Sequence, residues 1–575
     1  LDFYQNQQDV AIKYEQVVEQ FQVANMLELR LLLDEASTLE PPVGEVAIVN
    51  VSLVDADGIR LLDGVGFAFP LGAQVALLGQ SNSGKNLLSQ LLAGLYPPSS
   101  GRILIGGVDI ATLSLADLGR LVGYIGPATH LFAESVRDNL VFGLRHRPGS
   151  AAATTDAERT RAIAEARLSG NCDLDIGADW IDYDAAGVAD VAALEERILE
   201  VVRQVDLEAD LYLLGLHGWL DPQRRPEAAQ RLVEARRMLE DRLAELDLAP
   251  FVARFDRERY NTNASVADNL LFGTPIGPIF AAEGLPENDH VQRVLEQAGL
   301  TLDLVRIGTR MAETMIELFG DLPPEHGFFE EFGFVGADRL PLFETIVGRV
   351  SRVGIERLPA ADRACLLGLA FRLVAARDPL GLLDGATQQR IVAARGAFCE
   401  GLPEELRAAV EFFDLERYNA AARVEENILF GTIRSGEADS RERIEAAIAE
   451  YERESGPMPT RIAVGLDYPV GTGGSRLPPA QRQKVAIGRA VLKRPALLVL
   501  DDATAILDPA AEARILAVLR REFHGRSIVA SLSRPAIARE FDRVLVMDQG
   551  RLIEEGGYDE VSRANGPLAL LHAAE

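Results

Sequence analysis

A glycine-rich loop between an apolar segment and a helix-forming segment is the feature that most constrains this chain. The loop spans 79–86 and reads Gly-Gln-Ser-Asn-Ser-Gly-Lys-Asn, directly after the apolar segment 73–78. This is the pattern GxxxxGK[ST] without its final hydroxyl residue. Its glycines let backbone N–H groups converge on a phosphate, while the helix N-terminus and the lysine add positive charge. A purely structural turn is the alternative. The predicted nucleotide-binding residues are Gly79, Gln80, Ser81, Asn82, Ser83, Gly84, Lys85, Asn86 and Leu87.

A second motif, more than four hundred residues downstream, predicts the metal-binding half of the same site. The apolar segment 496–500 is followed by Asp501 and Asp502. A continuous apolar run is typical of a parallel strand that is buried on both faces. In nucleotide-binding proteins with a phosphate-binding loop, an aspartate at the end of such a strand holds Mg²⁺. Together the two motifs predict a site for a nucleotide and Mg²⁺.

The segments around both motifs resemble the ATP-binding cassette (ABC) family, most closely its exporter type, over roughly 45–145 and 460–565. They occur in the family's order: opening strands (51–53, 61–65), the segment after the P-loop helix (95–103), the Q-loop region (122–140), the signature (477–483), the D-loop (503–508) and a terminal hairpin (542–556). The resemblance implies a cassette that binds ATP and Mg²⁺ through Lys85 and Asp501. Asp502 would be the general base, with Lys85 as the other catalytic residue. The signature-like residues Leu477, Pro478, Pro479, Ala480 and Gln481 would face the nucleotide of a partner cassette, and Asp508 is the D-loop residue.

Several nucleotide-facing positions depart from the family pattern. The departures are Asp55 for the adenine-stacking aromatic, Asn86 for the Mg²⁺-binding hydroxyl residue, Pro127 for the Q-loop glutamine, Pro478 and Pro479 in the signature, Asp502 for the catalytic glutamate and Ser533 for the switch histidine. Asn86 remains a candidate Mg²⁺ ligand through its amide oxygen, although an amide suits the tight Mg²⁺ shell less well. Pro478 and Pro479 each remove a backbone N–H donor from the helix start that would bind the nucleotide of the partner cassette. We therefore predict weak or partner-dependent ATP hydrolysis.

The resemblance implies an α/β fold: a P-loop NTPase core split by a large, mainly α-helical insertion that contains internal repeats. The predicted domains are a helical linker (1–44), the first part of the cassette (45–145), the insertion (146–460) and the second part of the cassette (461–575). Repeat copies lie near 230–274 and 389–432, and each contains the tripeptide Arg-Tyr-Asn. We interpret these copies as packed structural elements. The alternative is a docking surface anchored by Tyr260 and Tyr418, since aromatic residues dominate interface hot spots.

Composition narrows the class of partner. The net charge is −29, from 58 basic and 87 acidic residues. Such a surface repels nucleic acid, so no nucleic-acid partner is expected. The three cysteines have no metal-site spacing and indicate thiols in a reducing compartment. No segment has the roughly 20 consecutive apolar residues of a membrane span. Because the chain begins at Leu1 rather than Met, we expect it to be a piece of something longer, with a transmembrane domain upstream or on a separate subunit.

Three functions compete at this stage. The first is the nucleotide-binding module of an exporter-like transporter at the cytoplasmic face of a membrane (the inner membrane if bacterial), paired with an identical or different second cassette. The second is a pseudo-ATPase scaffold or regulator that acts through its insertion. The third is a DNA-repair or chromosome-maintenance ABC ATPase, because those relatives also carry long insertions. Glycine and proline interrupt this insertion and no sustained heptad pattern is present, which disfavours the third.

Overall fold

The chain divides into two compact units. The computed structural model describes residues 2–21, 31, 41–147, 157–175, 177–319, 339–377, 381–434, 438–455 and 458–562. The first unit comprises Leu1–Asp210 with Pro469–Glu575, and the second comprises Leu211–Tyr468. The insertion was predicted from 146, yet the part up to Asp210 clusters with the first unit. The reason is packing: Gly488 lets Val201 and Val205 of this part approach closely.

The first unit contains the α/β core. Its elements before the division are α1 (Asp2–Phe21), β1 (Glu45–Val54), β2 (Arg60–Pro70), β3 (Gln74–Leu78), α2 (Lys85–Leu92), β4 (Ser100–Ile105), β5 (Val108–Asp109), α3 (Leu115–Leu121), β6 (Val122–Ile125), α4 (Val136–Val141), α5 (Ala157–Ser169), α6 (Tyr183–Ala186), α7 (Val191–Gln204) and α8 (Glu208–Leu216), which crosses the division. Those at the chain's end are α19 (Pro479–Lys493), β11 (Leu497–Asp501), α20 (Pro509–Glu522), β12 (Ser527–Ser531), β13 (Arg543–Asp548), β14 (Arg551–Gly556) and α21 (Tyr558–Val561).

Two sheets organise this unit. A six-stranded sheet has the order β14-β13-β3-β12-β11-β6, and an antiparallel sheet has the order β2-β1-β4-β5. Strands β3, β11 and β12 are parallel neighbours and every residue in them is buried. Burial on both faces explains why their sequences read as continuous apolar runs. The hairpin β13–β14 pairs Val544 with Gly556, as the resemblance implied. The predicted α/β P-loop fold is confirmed.

The N-terminal segment is only partly described. Helix α1 accounts for the start of the predicted linker, whereas 22–30 and 32–40 lie outside the described residues. Among the helices that the structure describes, none combines the length and the apolar character needed to span a membrane.

The second unit is mainly helical, as predicted. Its elements are α9 (Pro226–Glu245), β7 (Val252–Arg254), α10 (Val266–Leu271), β8 (Gly273–Pro275), α11 (Asp289–Gln297), α12 (Thr301–Phe319), α13 (Leu340–Val353), α14 (Ala360–Phe371), α15 (Gly385–Gly401), β9 (Val410–Phe412), α16 (Val424–Leu429), β10 (Gly431–Ile433), α17 (Ala438–Ser455) and α18 (Met458–Leu466). The sequence analysis missed its four short strands, which pair as β7–β10 and β8–β9. Three-residue strands carry too few residues for a periodic pattern to be visible.

The two repeat copies exchange partners. Arg236 of the first copy donates to the carbonyl and side-chain oxygens of Asn427 in the second. Arg395 of the second copy makes the same pair of bonds to Asn269 in the first. Phe255 and Phe413, at equivalent positions, stack with ring centroids 3.8 Å apart. The second unit is therefore a pseudo-twofold arrangement in which each copy completes the other.

The cassette carries a third version of this contact. Arg489 in α19 donates to the carbonyl and side-chain oxygens of Asn139 in α4. The tails of the two repeat copies, 266–273 and 424–431, resemble 136–143 in sequence, and this shared contact gives the resemblance a physical basis. The segment 382–387, whose sequence resembles 500–504, leads into the first turn of α15, where Asp384 caps the helix by accepting from the N–H of Thr387.

The tyrosine of the Arg-Tyr-Asn tripeptide has a packing role in both repeat copies. Tyr260 and Tyr418 each pack against one of the two apolar cores of the second unit. Both hydroxyl oxygens are buried, and burial raises the pKa of both phenols. Both tyrosines are partly buried residues packed against these cores, which favours the packing interpretation; the docking alternative stays a prediction.

Candidate nucleotide site

The glycine-rich loop connects the C-terminal end of β3 to the N-terminus of α2. A Cβ at Gly79 would lie 2.4 Å from Ser83 Oγ and 2.6 Å from the Met547 carbonyl oxygen, so only glycine fits. Gly84 has φ +92°, and a Cβ there would lie 2.7 Å from a Leu62 methyl carbon. No side chain caps the first turn of α2. The loop is therefore curled tightly against its surroundings with a helix N-terminus left uncapped, the geometry that binds phosphate.

Lys85 is buried and is bound by groups from the end of the chain. Only 5% of its surface is exposed. Its Nζ donates to both carboxylate oxygens of Asp502 at 2.8 Å and to Ser531 Oγ at 3.0 Å. These contacts follow from the sheet, because β3 lies beside β12 and β12 lies beside β11. The two predicted motifs therefore meet in one cleft.

Asp501 is fully buried at the end of β11. Its carboxylate accepts from Tyr124 Oη at 2.8 Å, from Asn86 Nδ2 at 2.6 Å and from Gln90 Nε2 at 3.3 Å. Burial raises the pKa of this carboxyl, and the hydrogen bonds oppose that effect only in part. The group thus has the environment of a carboxylate that gains from a nearby cation.

Asp502 has a strained backbone conformation, and its carboxylate accepts hydrogen bonds from three side chains. Its φ is +47°, in the left-handed region that few non-glycine residues adopt. Besides Lys85, Asn86 Nδ2 donates to it at 2.8 Å and Ser533 Oγ at 2.9 Å. Burial acts to raise the pKa of Asp502, but the Lys85 and Asn86 hydrogen bonds outweigh it, and the net shift is downward. Ser533, predicted at the degenerate switch position, thus contacts the predicted general base.

Asn86 has a role that the sequence did not suggest. Its amide nitrogen bridges the carboxylates of Asp501 and Asp502. Its predicted role was to ligate Mg²⁺ through the amide oxygen. To do so the amide would have to turn over and give up both of these hydrogen bonds.

The signature-like residues form the start of α19. Pro478 precedes the helix and Pro479 is its first residue, with no side-chain cap. Leu477 is buried, and the amide nitrogen of Gln481 donates to Asp210 at 3.0 Å. Ala480 lies between them in the first turn. The prolines are tolerated here because the first helical N–H groups have no acceptor within the helix.

The remaining predicted positions have local structural partners. Asp508 caps α20 by accepting from the N–H groups of Ala510 and Ala511. Asp55 closes the β1–β2 turn through the N–H groups of Asp57 and Ile59. Beside Pro127, the side chain of Gln483 donates to the Gly126 carbonyl at 3.0 Å and accepts from Thr129.

Sequence reasoning missed three residues that contact the central cluster. Tyr124 and Gln90 donate to Asp501, and Ser531 accepts from Lys85. Gln90 lies on α2 within reach of β11, a helix-face position that no motif marks. Tyr124 lies in the apolar segment 122–125, which could have been predicted as a strand. This segment is β6, and its parallel pairing with β11 places Tyr124 opposite Val499.

A family model and several curated proteins match part of the chain. Residues 62–213 match the family model described as "ABC transporter". The chain is similar to an ATP-dependent lipid A-core flippase of Pseudomonas putida, at 41% identity over 151 residues, which cover 26% of this chain and 24% of that protein. It is also similar to the beta-(1→2)glucan export ATP-binding/permease protein NdvA of Agrobacterium vitis, at 39% identity over 152 residues, which cover 26% and 25%.

A solved structure, that of a bacterial Atm1-family ABC exporter with ATP bound, aligns at 15% identity with a TM-score of 0.39, covering 99% of this chain and 48% of that one. The chain spans about a quarter of the length of the curated relatives that it matches.

Proposed function

We propose that this chain, which carries the ATP-binding domain of the ABC transporter family, is the nucleotide-binding module of an exporter-like transporter. It would bind MgATP and couple it to transport at the cytoplasmic face of a membrane, joined to a transmembrane domain and paired with a second cassette. The observation that carries the proposal is the convergence of Lys85, Asp501 and Asp502 in one cleft, although more than four hundred residues separate the lysine from the aspartates.

The residues of the cleft fit ATP and Mg²⁺, the ligands that an ABC domain uses. A Cβ at Gly79 or Gly84 would collide with neighbouring protein atoms, so these glycines permit the tight curl that lets the N–H groups of the loop converge on a phosphate. Ser83 Oγ is buried and has no hydrogen-bond partner among the described residues. Such an orphaned hydroxyl has a high cost unless a ligand or water satisfies it. Paired carboxylates next to this loop are the donors that Mg²⁺ prefers.

In this proposal each part of the cleft has a defined task. The N–H groups of the loop and the N-terminus of α2 bind the phosphates, and Lys85 neutralises the outer ones. Asp501 holds Mg²⁺, whose charge would polarise the terminal phosphate. Tyr124 and Gln90 fix the Asp501 carboxylate so that its orientation is set before the metal arrives. Asp502 accepts the proton of the attacking water.

Hydrolysis would be slow for two reasons. Asp502 is one methylene shorter than a glutamate, and a displacement on the order of 1 Å can cost about 10²-fold in rate. Asp502 is also engaged by Lys85, Asn86 and Ser533, so it must leave these donors before it can take a proton.

A nucleotide titration tests binding. Isothermal titration of the purified chain with ATP, with Mg²⁺ and with EDTA, is compared between the wild type and Lys85→Ala. We expect saturable binding that Mg²⁺ strengthens and that Lys85→Ala weakens at least tenfold. Arg161→Ala serves as the control, because Arg161 is exposed and its ion pair in the described part of the chain is with Glu165 on its own helix. Equal affinity of wild type and Lys85→Ala contradicts the proposed phosphate site.

A restoration experiment tests weak hydrolysis. The triple variant Pro127→Gln, Asp502→Glu and Ser533→His returns the polar groups of the family pattern. Phosphate release should rise by about 10²-fold or more over the wild type. Wild-type turnover already equal to that of the triple variant removes the degenerate-site argument.

The pseudo-ATPase scaffold remains the second candidate. The fully engaged state of Lys85 and Asp502 favours it, because an ATPase needs both groups to be released. The two functions differ when a transmembrane partner is present: a transport module should gain turnover on reconstitution with the membrane domain encoded with or beside it, whereas a scaffold should not.

A further inference from the structure

A second cluster of positive charge lies in the first unit, at the opposite end of the central strands from Asp501. Arg494 comes shortly before β11 and Arg526 directly before β12, whereas the predicted nucleotide site lies where these strands end. A five-residue strand separates its two ends by roughly 13 Å. With Arg197 of α7, these residues line a cavity of about 290 Å³.

The residues that line this cavity carry more positive than negative charge. Three guanidinium groups face it, and Glu522 is the carboxylate among its lining residues. Both oxygens of Glu522 are already engaged, by Arg197 at 2.7 Å and by Gln204 at 2.8 Å. Within the described part of the chain, Arg494 and Arg526 have no acidic partner; Arg494 donates weakly to the Ala186 carbonyl at 3.4 Å. The cavity thus has two uncompensated positive charges in a chain whose net charge is −29.

The local backbone leaves room for the Arg494 guanidinium, which is exposed at the mouth of the cavity. Arg494 ends α19 in the left-handed conformation, with φ +53°. A Cβ at Gly187 would lie 1.7 Å from the Arg494 guanidinium, so the absence of a side chain there makes room for it. Burial lowers the pKa of Arg526 and the charges of Arg494 and Arg197 lower it further, whereas the charge of Glu522 opposes them only in part. An anion in the cavity would relieve this repulsion.

We propose that this cavity is a second anion site, which binds a phosphate group, either free or as a small monoester. Guanidinium groups present parallel N–H donors that match the oxygens of a phosphate. The volume exceeds that of one phosphate and leaves room for a small organic substituent. The site is independent of the proposed nucleotide function.

Calorimetric titration in the Lys85→Ala background tests this site without the glycine-rich loop. The probes are inorganic phosphate and glycerol phosphate, with ionic strength held constant by chloride. We expect saturable binding in Lys85→Ala, at least tenfold weaker binding after adding Arg494→Gln and Arg526→Gln, and no change after adding Arg161→Gln. Tighter binding of glycerol phosphate than of inorganic phosphate assigns the site to a monoester, and equal binding assigns it to the free anion.

The proposal is overturned if Lys85→Ala shows no saturable phosphate binding, or if the two glutamine substitutions leave it unchanged. Far-UV circular dichroism checks that the variants fold. Should the glutamine variant not fold, Arg526→Lys replaces it, because lysine keeps the charge and loses the paired donors. It should bind phosphate several-fold more weakly, and unchanged affinity contradicts the site.

Discussion

The ion pair between Lys85 and Asp502 should contribute measurably to the stability of the first unit. The Nζ of Lys85 lies 2.8 Å from both carboxylate oxygens of Asp502, and the side chains of Lys85 and Asp502 are 6% and 18% exposed. At an effective dielectric constant of 20, this separation corresponds to about 6 kcal/mol of attraction. The cost of desolvating both charges offsets much of that, so a coupling energy of about 2 kcal/mol is expected.

A double-mutant cycle isolates this coupling. Lys85→Met removes the charge and keeps the aliphatic stem. Asp502→Asn removes the opposite charge, and asparagine tolerates φ +47° better than alanine. We expect Asp502→Asn to destabilise by about 3 kcal/mol and Lys85→Met by about 2 kcal/mol. The asymmetry arises because the lysine keeps only Ser531 as a partner, whereas Asp502 keeps Asn86 and Ser533.

The two tryptophans allow each unit to be followed separately. Trp180 lies in the first unit and Trp219 in the second. In a Trp219→Phe background, urea unfolding followed by Trp180 fluorescence reports on the first unit alone. The double variant should be about 2 kcal/mol more stable than the sum of the single effects. Additivity within about 0.5 kcal/mol would refute the reasoning, because it would mean that the two groups do not sense each other.

Three further predictions follow from single contacts. Arg395→Lys should destabilise the second unit by about 3 kcal/mol, because several buried carbonyl groups lose the guanidinium; Trp219 fluorescence measures this, and Arg237→Lys, at an exposed site, should have no effect. Burial lowers the pKa of Lys493 to about 8, so the unfolded state binds more protons above that pH; unfolding should become harder as pH rises from 8 towards 10, and Lys493→Met should abolish that dependence. Tyr124→Phe should reduce the Mg²⁺-dependent part of ATP affinity about threefold to tenfold, because Asp501 loses one hydrogen-bond donor, and should leave binding in EDTA unchanged. Equal loss in both buffers contradicts that role.

Local motifs were sufficient to predict the cassette core. The loop 79–86 and the segment 496–502 each carry a pattern tied to one backbone geometry, and they lie at the C-terminal ends of β3 and β11, which are parallel strands of one sheet. Because the carboxyl ends of parallel strands meet at one edge, their convergence followed from the fold. What the patterns did not contain is the engagement of Lys85 by Asp502, which depends on side-chain lengths and on the left-handed φ of Asp502.

Sequence repetition alone was not sufficient to predict the fold of the insertion. The two copies were visible in the sequence, but periodicity carries no information on which copy packs with which. The structure pairs Arg236 with Asn427 and Arg395 with Asn269, across the copies. A contact within one copy would need only a local turn, whereas an exchanged contact needs both copies to be folded together. The same kind of Arg–Asn contact joins Arg489 and Asn139 in the first unit. The insertion is thus built from two repeat copies, each of which completes the buried hydrogen bonds of the other.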